Sequence, residues 1–566
     1  MTITTSETVS EALALPIDAT RLLVRLRLKM ESRLSIGENV DRDQDDVGPP
    51  PDAPDGTARD DNAPDGTGPA TEPEPVAPDN EAERIVKVRH TARTSTGLIR
   101  LPATAMGGVL RSALERRAGG SLDKAFGFVP PAKNEGVHAR ASRFVFDDLV
   151  LDPDITTDER QQVAIDRHRG RGEDGLLRKT ERVRADHDKL VTVDFEIHSP
   201  DAYTDTALAV LLDELHESGV RIGANTGTGH GHLKLPALDA DHVELRRLDL
   251  TDADTLLRWI GAEDRRSAAM PPNDDVSGWI AKHLGDLPAT PDERRPWTEL
   301  RFSLRCKPDE PYLVGDPQET GVRPQTLPLP IANGGSGIVG SSIRGALRSR
   351  AERIVRTLGA ETWDSVQYRT ESDTNAEEAN DPATRLFGST AAAGYVIVPD
   401  TVADGARPKT FDFLAIDRFT GGGQDKLKFD VQALTGGNLD VTVDLASHEP
   451  DLVGLLLLLL LDIATGDLPL GSRTRRGFGT MRGQRLTISW RGHRPSPGAG
   501  KDSSGAWCAL GDIELNDADR AQMIDGFDAP VRDWLVDAVA AFAQACKAQA
   551  KSTIGADAND GAEESG

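Results

Sequence analysis

The sequence predicts an α+β protein made of two tandem copies of one strand–helix–strand–strand–helix–strand unit, on three observations. Four landmarks recur in the same order in the two halves, each series ends in a glycine-rich turn, and each turn follows an apolar helical stretch. At 566 residues the chain has room for a duplicated core, since ordinary domains take about 100–200 residues.

The first landmark is an alternating strand. RLLVRLRLKM at 21–30 matches ELRFSLRC at 299–306, each with apolar side chains on one face and polar or basic ones on the other. The second is a helix start, in which GGVLRSALER at 107–116 pairs with RGALRSRAER at 344–353. This pairing sets Gly108 on Gly345, Leu110 on Leu347, Arg111 on Arg348 and Glu115 on Glu352. The third joins AFGF at 125–128 and LFGS at 386–389 to a shared Ala-Ile-Asp-Arg at 164–167 and 415–418. After the first copy come Arg167, His168, Arg169, Arg171, Arg178, Lys179, Arg182 and Arg184, too basic for a core and too broken by glycine for a helix, which predicts an outward hairpin.

The fourth landmark pairs GANTGTGHGHLKL at 223–235 with GSRTRRGFGTMRG at 471–483, placing Thr226 on Thr474, Gly229 on Gly477 and Gly231 on Gly479. The apolar stretches before these turns, 206–219 and 451–466, read as buried helices. The resulting order is the ferredoxin-like (RRM-like) pattern. The expected layout is a first domain over 20–245 and a linker over 246–296, then a second domain over 297–490. A C-terminal extension with a helix over 491–552 and a disordered tail over 553–566 complete it. Residues 40–83, rich in Pro, Asp, Gly and Ala, are expected to be a disordered insert in the first domain, because they carry too little apolar surface to offset chain entropy.

A formal charge of −26 argues at first sight against nucleic acid, yet half of it sits between residues 38 and 83, where fifteen acidic residues face only Arg42 and Arg59. Local basic clusters then matter more than the total. Cys306, Cys508 and Cys546 are widely spaced and odd in number, which supports neither a disulfide framework nor a Cys-rich zinc site. The start of the sequence lacks a secretory pattern, and the apolar run Leu452 to Ile463 falls short of the roughly 20 residues that cross a bilayer. The expectation is a cytoplasmic protein with no membrane partner.

Ser341 or Ser342 can cap a helix whose first turn offers free N–H groups to an anion, and Arg344 and Arg348 stand one turn apart on that helix. Neither glycine turn ends in Lys-Ser/Thr, so neither is a nucleotide-hydrolysing phosphate loop. As a set, Gly340-Ser341-Ser342, Arg344, Gly345, Arg348, then Phe-Gly, Asp-Arg and a glycine loop before the last strand resemble the RAMP-superfamily backbone proteins of type III CRISPR effector complexes. The first copy departs from the pattern, with Ala103-Thr104-Ala105 for the Gly-Ser-Ser and Gly107 for Arg344.

The resemblance implies a guide-RNA-binding subunit whose partners are guide RNA, complementary target RNA and other CRISPR effector subunits. It assigns RNA contact to Arg111, Ser341, Ser342, Arg344 and Arg348 on the helices, and to Gly227, Gly229, Gly231, Arg473, Arg475, Arg476, Gly477 and Gly479 in the loops. A thumb-like hairpin would add Arg167, Arg169, Arg171 and Arg418. With only 4% aromatic residues, recognition of backbone and shape is expected rather than base stacking.

No cofactor is needed for such binding. The alternatives are an endoribonuclease and a scaffold that lacks RNA contact. Some family members cut target RNA through a loop Asp with a divalent metal ion, for which Asp316 and Asp41 are the weak counterparts. A related branch processes guide precursors with a His general base, for which His230 and His232 are the candidates.

Overall fold

The computed structural model describes residues 19–37, 88–118, 122–128, 139–166, 171–185, 189–262, 265–285, 287, 297–315, 327–329, 331, 335–362, 380–389, 391–493, 495, 501–502, 506–515 and 520–563. The insert expected at 40–83 therefore lies outside the described residues.

In the first unit, β1 (Thr20–Met30) alternates as its sequence dictates, with Leu22, Val24, Leu26 and Leu28 buried. It is followed by α1 (Ala103–Ala118), β2 (Phe144–Phe146), a hairpin of β3 (Thr157–Asp166) and β4 (Arg171–Val183), then β5 (Leu190–His198), α2 (Ala202–Glu217) and β6 (His232–Lys234). The sheet order is β2-β5-β1-β6, all antiparallel. Asp201 caps α2 reciprocally with Thr204, and the helix buries Leu208, Leu211, Leu212 and Leu215.

β6 covers only the end of β1. The rest of that edge is taken by β7 (Val243–Asp249), which pairs with Thr20 to Leu26. Beyond it, α3 (Val276–His283) packs on α2 and contributes Val276 and Ile280 to the first core, with Leu287 following. Much of the 246–296 stretch expected as a linker is thus part of the first unit, because the apolar edge and helix it covers would otherwise face water.

The second unit repeats the plan with β8 (Thr298–Pro308), α4 (Gly340–Thr357), β9 (Thr401–Asp404), a hairpin of β10 (Arg407–Ile416) and β11 (Gly423–Thr435), then β12 (Asn438–Leu445), α5 (Pro450–Ala464) and β13 (Met481–His493). The order β9-β12-β8-β13 follows the plan of the first sheet, except that β9 pairs with the start of β12, and the short strand Val396–Ile397 pairs with its end as β2 does with that of β5. Here one long strand, β13, serves the edge that β6 and β7 share.

The leucine run of α5 is buried on nearly every side, because α6 (Ala529–Glu563) lies on the face turned away from the sheet. Gly454 lets them touch, since a Cβ there would stand 2.2 Å from the Ala538 carbonyl oxygen. The expected C-terminal extension belongs to the second core, through Trp534, Leu535, Ala538 and Phe542. α6 runs to Glu563, past the residue 552 boundary set for the tail, in keeping with its frequent alanines. No helix among the described residues is long and apolar enough to cross a membrane. All three cysteines are free, Cys306 and Cys546 buried.

A buried ion network joins the units. Arg491 on β13 donates Nη1 to both carboxylate oxygens of Glu214 on α2 at 2.9 Å and Nε to Glu299 on β8 at 2.7 Å. Arg116 on α1 meets Glu299 at 3.0 Å. Burial opposes ionisation of Glu299, yet Arg116 and Arg491 hold its carboxyl below the usual range. Because Glu214 is fully buried and keeps only the more distant Arg116 and Arg117, at 3.6 and 3.5 Å, Arg491→Met removes its hydrogen-bonded counter-ion, and unfolding in urea is expected to show a loss of about 3 kcal/mol.

Candidate functional site

The two glycine turns are one structure made twice. Asn225 and Arg473 are both left-handed, with φ of 60° and 61°, and a 3₁₀ turn follows each, at Thr226–Thr228 and Thr474–Arg476. Gly229 and Gly477 then return to positive φ at 82° and 84°. Gly231 and Gly479 follow at 74° and 86°, where a Cβ would collide with the carbonyl oxygens of Ile222 and Leu470.

Each turn is clamped by the segment after the first strand of its unit. Gly231 N–H donates to the Arg33 carbonyl and Ala224 N–H to that of Ser35. In the second unit Gly479 donates to Pro311 and Ser472 to Leu313. The same segments pair with the hairpins, Leu34 with Val183 and Tyr312 with Leu434, by two backbone bonds each. Hairpin root, clamp segment and glycine turn therefore form one backbone unit in each half.

The hairpins are equally alike. Their strands have the same lengths, and both registers slip at the shared Ala-Ile-Asp-Arg, between Val163 and Ile165 and between Leu414 and Ile416. At the second tip Asp417 accepts from the amides of Phe419 and Thr420, leaving Arg418 and Phe419 exposed. Arg167 and Arg169 lie outside the described residues, and Arg171 is placed by its backbone opposite Asp166.

The second turn is open. Arg475, Arg476 and Gly477 are exposed, with nothing within 4 Å of a Cβ on Gly477. Arg473 and Arg476 lie over the rings of Phe413 and Phe429 on the hairpin at 5.4–5.8 Å, so the turn and the hairpin present one basic face.

The first turn is covered by protein. Val398 N–H donates to the Gly227 carbonyl, and Gly229 abuts Pro399, whose Cα would be 2.4 Å from an added Cβ. Gly227 and Gly229 thus build the joint between units rather than an open anion cradle, and Gly231 closes the clamp within the first unit. The next residue, Asp400, accepts from Gly340 N–H at 2.8 Å and occupies the start of α4. Ser341 and Ser342 do not cap that helix, which corrects the expectation of a free N-terminus there.

The helix arginines are also engaged internally. Arg111 bonds Glu115 and the Gly127 carbonyl, Arg348 bonds Glu352, and Arg344 donates to the Phe387 carbonyl, so these residues tie the helices to the Phe-Gly turns or to themselves. Burial, with Arg348 beside it, lowers the Arg344 guanidinium to about 10.

Asp316 and Asp41, the candidate cleavage acids, lie outside the described residues. His230 and His232 have different surroundings. His232 Nε2 bonds the Ser218 carbonyl at 2.7 Å, fixing the end of α2 to β6. His230 is buried against the first hairpin, beside Arg33, Arg160 and Arg182. Among the described residues no group of three or more His, Cys, Asp or Glu side chains could hold a metal ion.

The doubled hairpin-and-turn unit agrees with the comparison to protein families, in which the RAMP superfamily matches residues 27–234 and 311–482. The chain belongs to the RAMP superfamily. Members of the superfamily are generally CRISPR-associated proteins that bind RNA and other subunits of CRISPR complexes. No curated protein matches the sequence. The first matched region runs from within β1 to the end of β6 and the second from just after β8 into β13, so both hold the helix, hairpin and glycine turn that this RAMP protein repeats.

Sequence reasoning missed Arg33, Arg160, Pro399 and Asp400. The unbroken polar run 158–162 carries no alternation that would mark a strand, and only contact across the joint singles out Asp400.

Gly479→Ala combines positive φ with a backbone collision and should cost about 2 kcal/mol in urea unfolding, whereas Gly345→Ala, exposed within α4, should gain up to about 1 kcal/mol. Acid should also weaken the fold through His232. Burial, then Arg221, pushes its imidazole from 6.5 down to about 4, so the unfolded chain takes up the proton first. The His232 share of stability is expected to fall from pH 6.5 toward 4 and to level off below, by about 3 kcal/mol, and His232→Gln should make that part of the melting profile shallower, leaving the share of His230, whose imidazole is also held near 4.

Proposed function

We propose that this RAMP protein is a guide-RNA-binding backbone subunit of a type III CRISPR effector complex, built from two ferredoxin-like units and working in the cytoplasm. The observation that supports this reading most is the open basic face where the second glycine turn meets the second hairpin, formed by Arg473, Arg475 and Arg476 with Arg418 at the hairpin tip. Guanidinium groups on a glycine turn suit a ribose-phosphate strand, since the backbone can approach without a Cβ in the way.

The hairpin then acts as a thumb over the paired guide and target, where the exposed Phe419 ring offers one stacking surface at its tip. Base pairing by the guide supplies sequence choice, which relieves the subunit of reading bases itself. Other effector subunits extend the assembly on either side of this double unit. No divalent metal is required for the binding.

The test is RNA binding by the full chain across a salt series. Affinity is expected to fall steeply with salt and to be alike for unrelated sequences of equal length. Arg475→Ala and Arg418→Ala should each weaken every RNA several-fold and reduce the salt slope by about 1. Binding that is flat with salt, or indifferent to both substitutions, would count against the proposal.

A further inference from the structure

The inner face of the first hairpin is polar where that of the second is aromatic. Their registers match, so Arg160, Gln162, Arg178, Thr180 and Arg182 stand where Phe411, Phe413, Phe429, Val431 and Ala433 do. In the clamp and the turn, Arg33 and His230 likewise replace Pro311 and Phe478. The second unit closes its rings into a small apolar core with Leu313. The first unit instead buries guanidinium groups and an imidazole, which costs desolvation free energy unless something compensates the charge.

Arg160, Arg182 and His230 are 5%, 4% and 5% exposed. Asp158 accepts from Arg33 Nε and Arg182 Nη2, both at 2.9 Å, and Asp400 of the second unit lies close enough to act on the charge of His230. Two guanidinium groups, those of Arg33 and Arg182, thus share the single carboxylate of Asp158. More telling, Nη1 of Arg33, Nη1 of Arg182 and Nδ1 of His230 are all buried with no hydrogen-bond partner among the described residues. Native interiors leave few such atoms, and three gathered at one place call for an acceptor.

Burial and the three guanidinium groups hold the His230 imidazole near 4, against the pull of Asp400, so the ring is neutral at pH 7 and can donate from Nδ1 in one tautomer. A water molecule could accept from two donors but would leave the charge. An oxyanion satisfies several N–H groups and neutralises them.

We infer that the root of the first hairpin is an oxyanion site for a phosphate-class group, held by Arg33, Arg182 and His230 between the hairpin, the first glycine turn and Pro399–Asp400 of the second unit. Inorganic phosphate and an RNA phosphodiester share this chemistry. The site stands without the RNA-binding reading, and RNA is one source of its anion. Because residues of both units border it, the bound anion also tightens the joint between them.

Thermal melting of the full chain tests this, with sodium phosphate replacing sodium chloride at constant ionic strength and, separately, with a short oligouridylate. Phosphate at a hundred times its dissociation constant is expected to raise the melting temperature by roughly 5 °C. The combined change Arg160→Phe, Arg182→Ala and His230→Phe installs residues that the second unit already packs, and should abolish the shift. Arg182→Met alone serves if the triple variant fails to fold.

A shift with oligouridylate only, lost in the same variants, upholds the site and names RNA as the source. Shifts that are equal in wild type and variants, or absent with both ligands, overturn it. Retention of the phosphate shift by a protein that binds no RNA in the salt series upholds the site and removes the proposed function alone.

Discussion

The arrangement depends on one backbone clamp, formed twice. A short segment after the central strand bonds a hairpin root on one side and a glycine turn on the other, through main-chain groups that any side chains would allow. What the sequence must supply is glycine where φ is positive and a carbonyl stands in the way, as at Gly231 and Gly479. With that met, the turn cannot shift without losing buried hydrogen bonds, and the hairpin projects from a fixed base.

Because the clamp is indifferent to side chains, the two copies have been free to diverge around it. The second packs Phe411, Phe413, Phe429 and Phe478 into an apolar root and keeps its turn open. The first packs arginines and a histidine there, and its turn is roofed by Val398 to Asp400. Duplication thus gave one surface to solvent and one to the joint. The joint is further fixed by Arg491, whose buried contacts with Glu214 and Glu299 tie helix to strand across the units. Such a network favours one relative placement, since a rotated alternative would strand charges in the interior.

The same contrast bears on function. Cationic groups that face outward on a turn and a hairpin can take a phosphate backbone in register, while cationic groups sealed at a root can take only a small anion or one phosphate at a time. The two roles need different exposure of the same residue types, and the structure has both.

Much of this was legible from residues alone. The duplicated landmarks, the alternation of β1 and β8, the all-apolar α5 and the positions of both glycine turns follow from local patterns that recur at matched spacing, which is information a chain carries without being folded. The tertiary structure decided what contact decides. It set whether Ser341 or Asp400 takes the amide at the start of α4, whether a glycine turn faces water or a neighbouring unit, and which arginines are already engaged, as Arg111 and Arg348 are. It also drew β7 and α3 into the first unit, because a sheet edge and a helix face left exposed by one segment must be covered by another, however far along the chain that other lies.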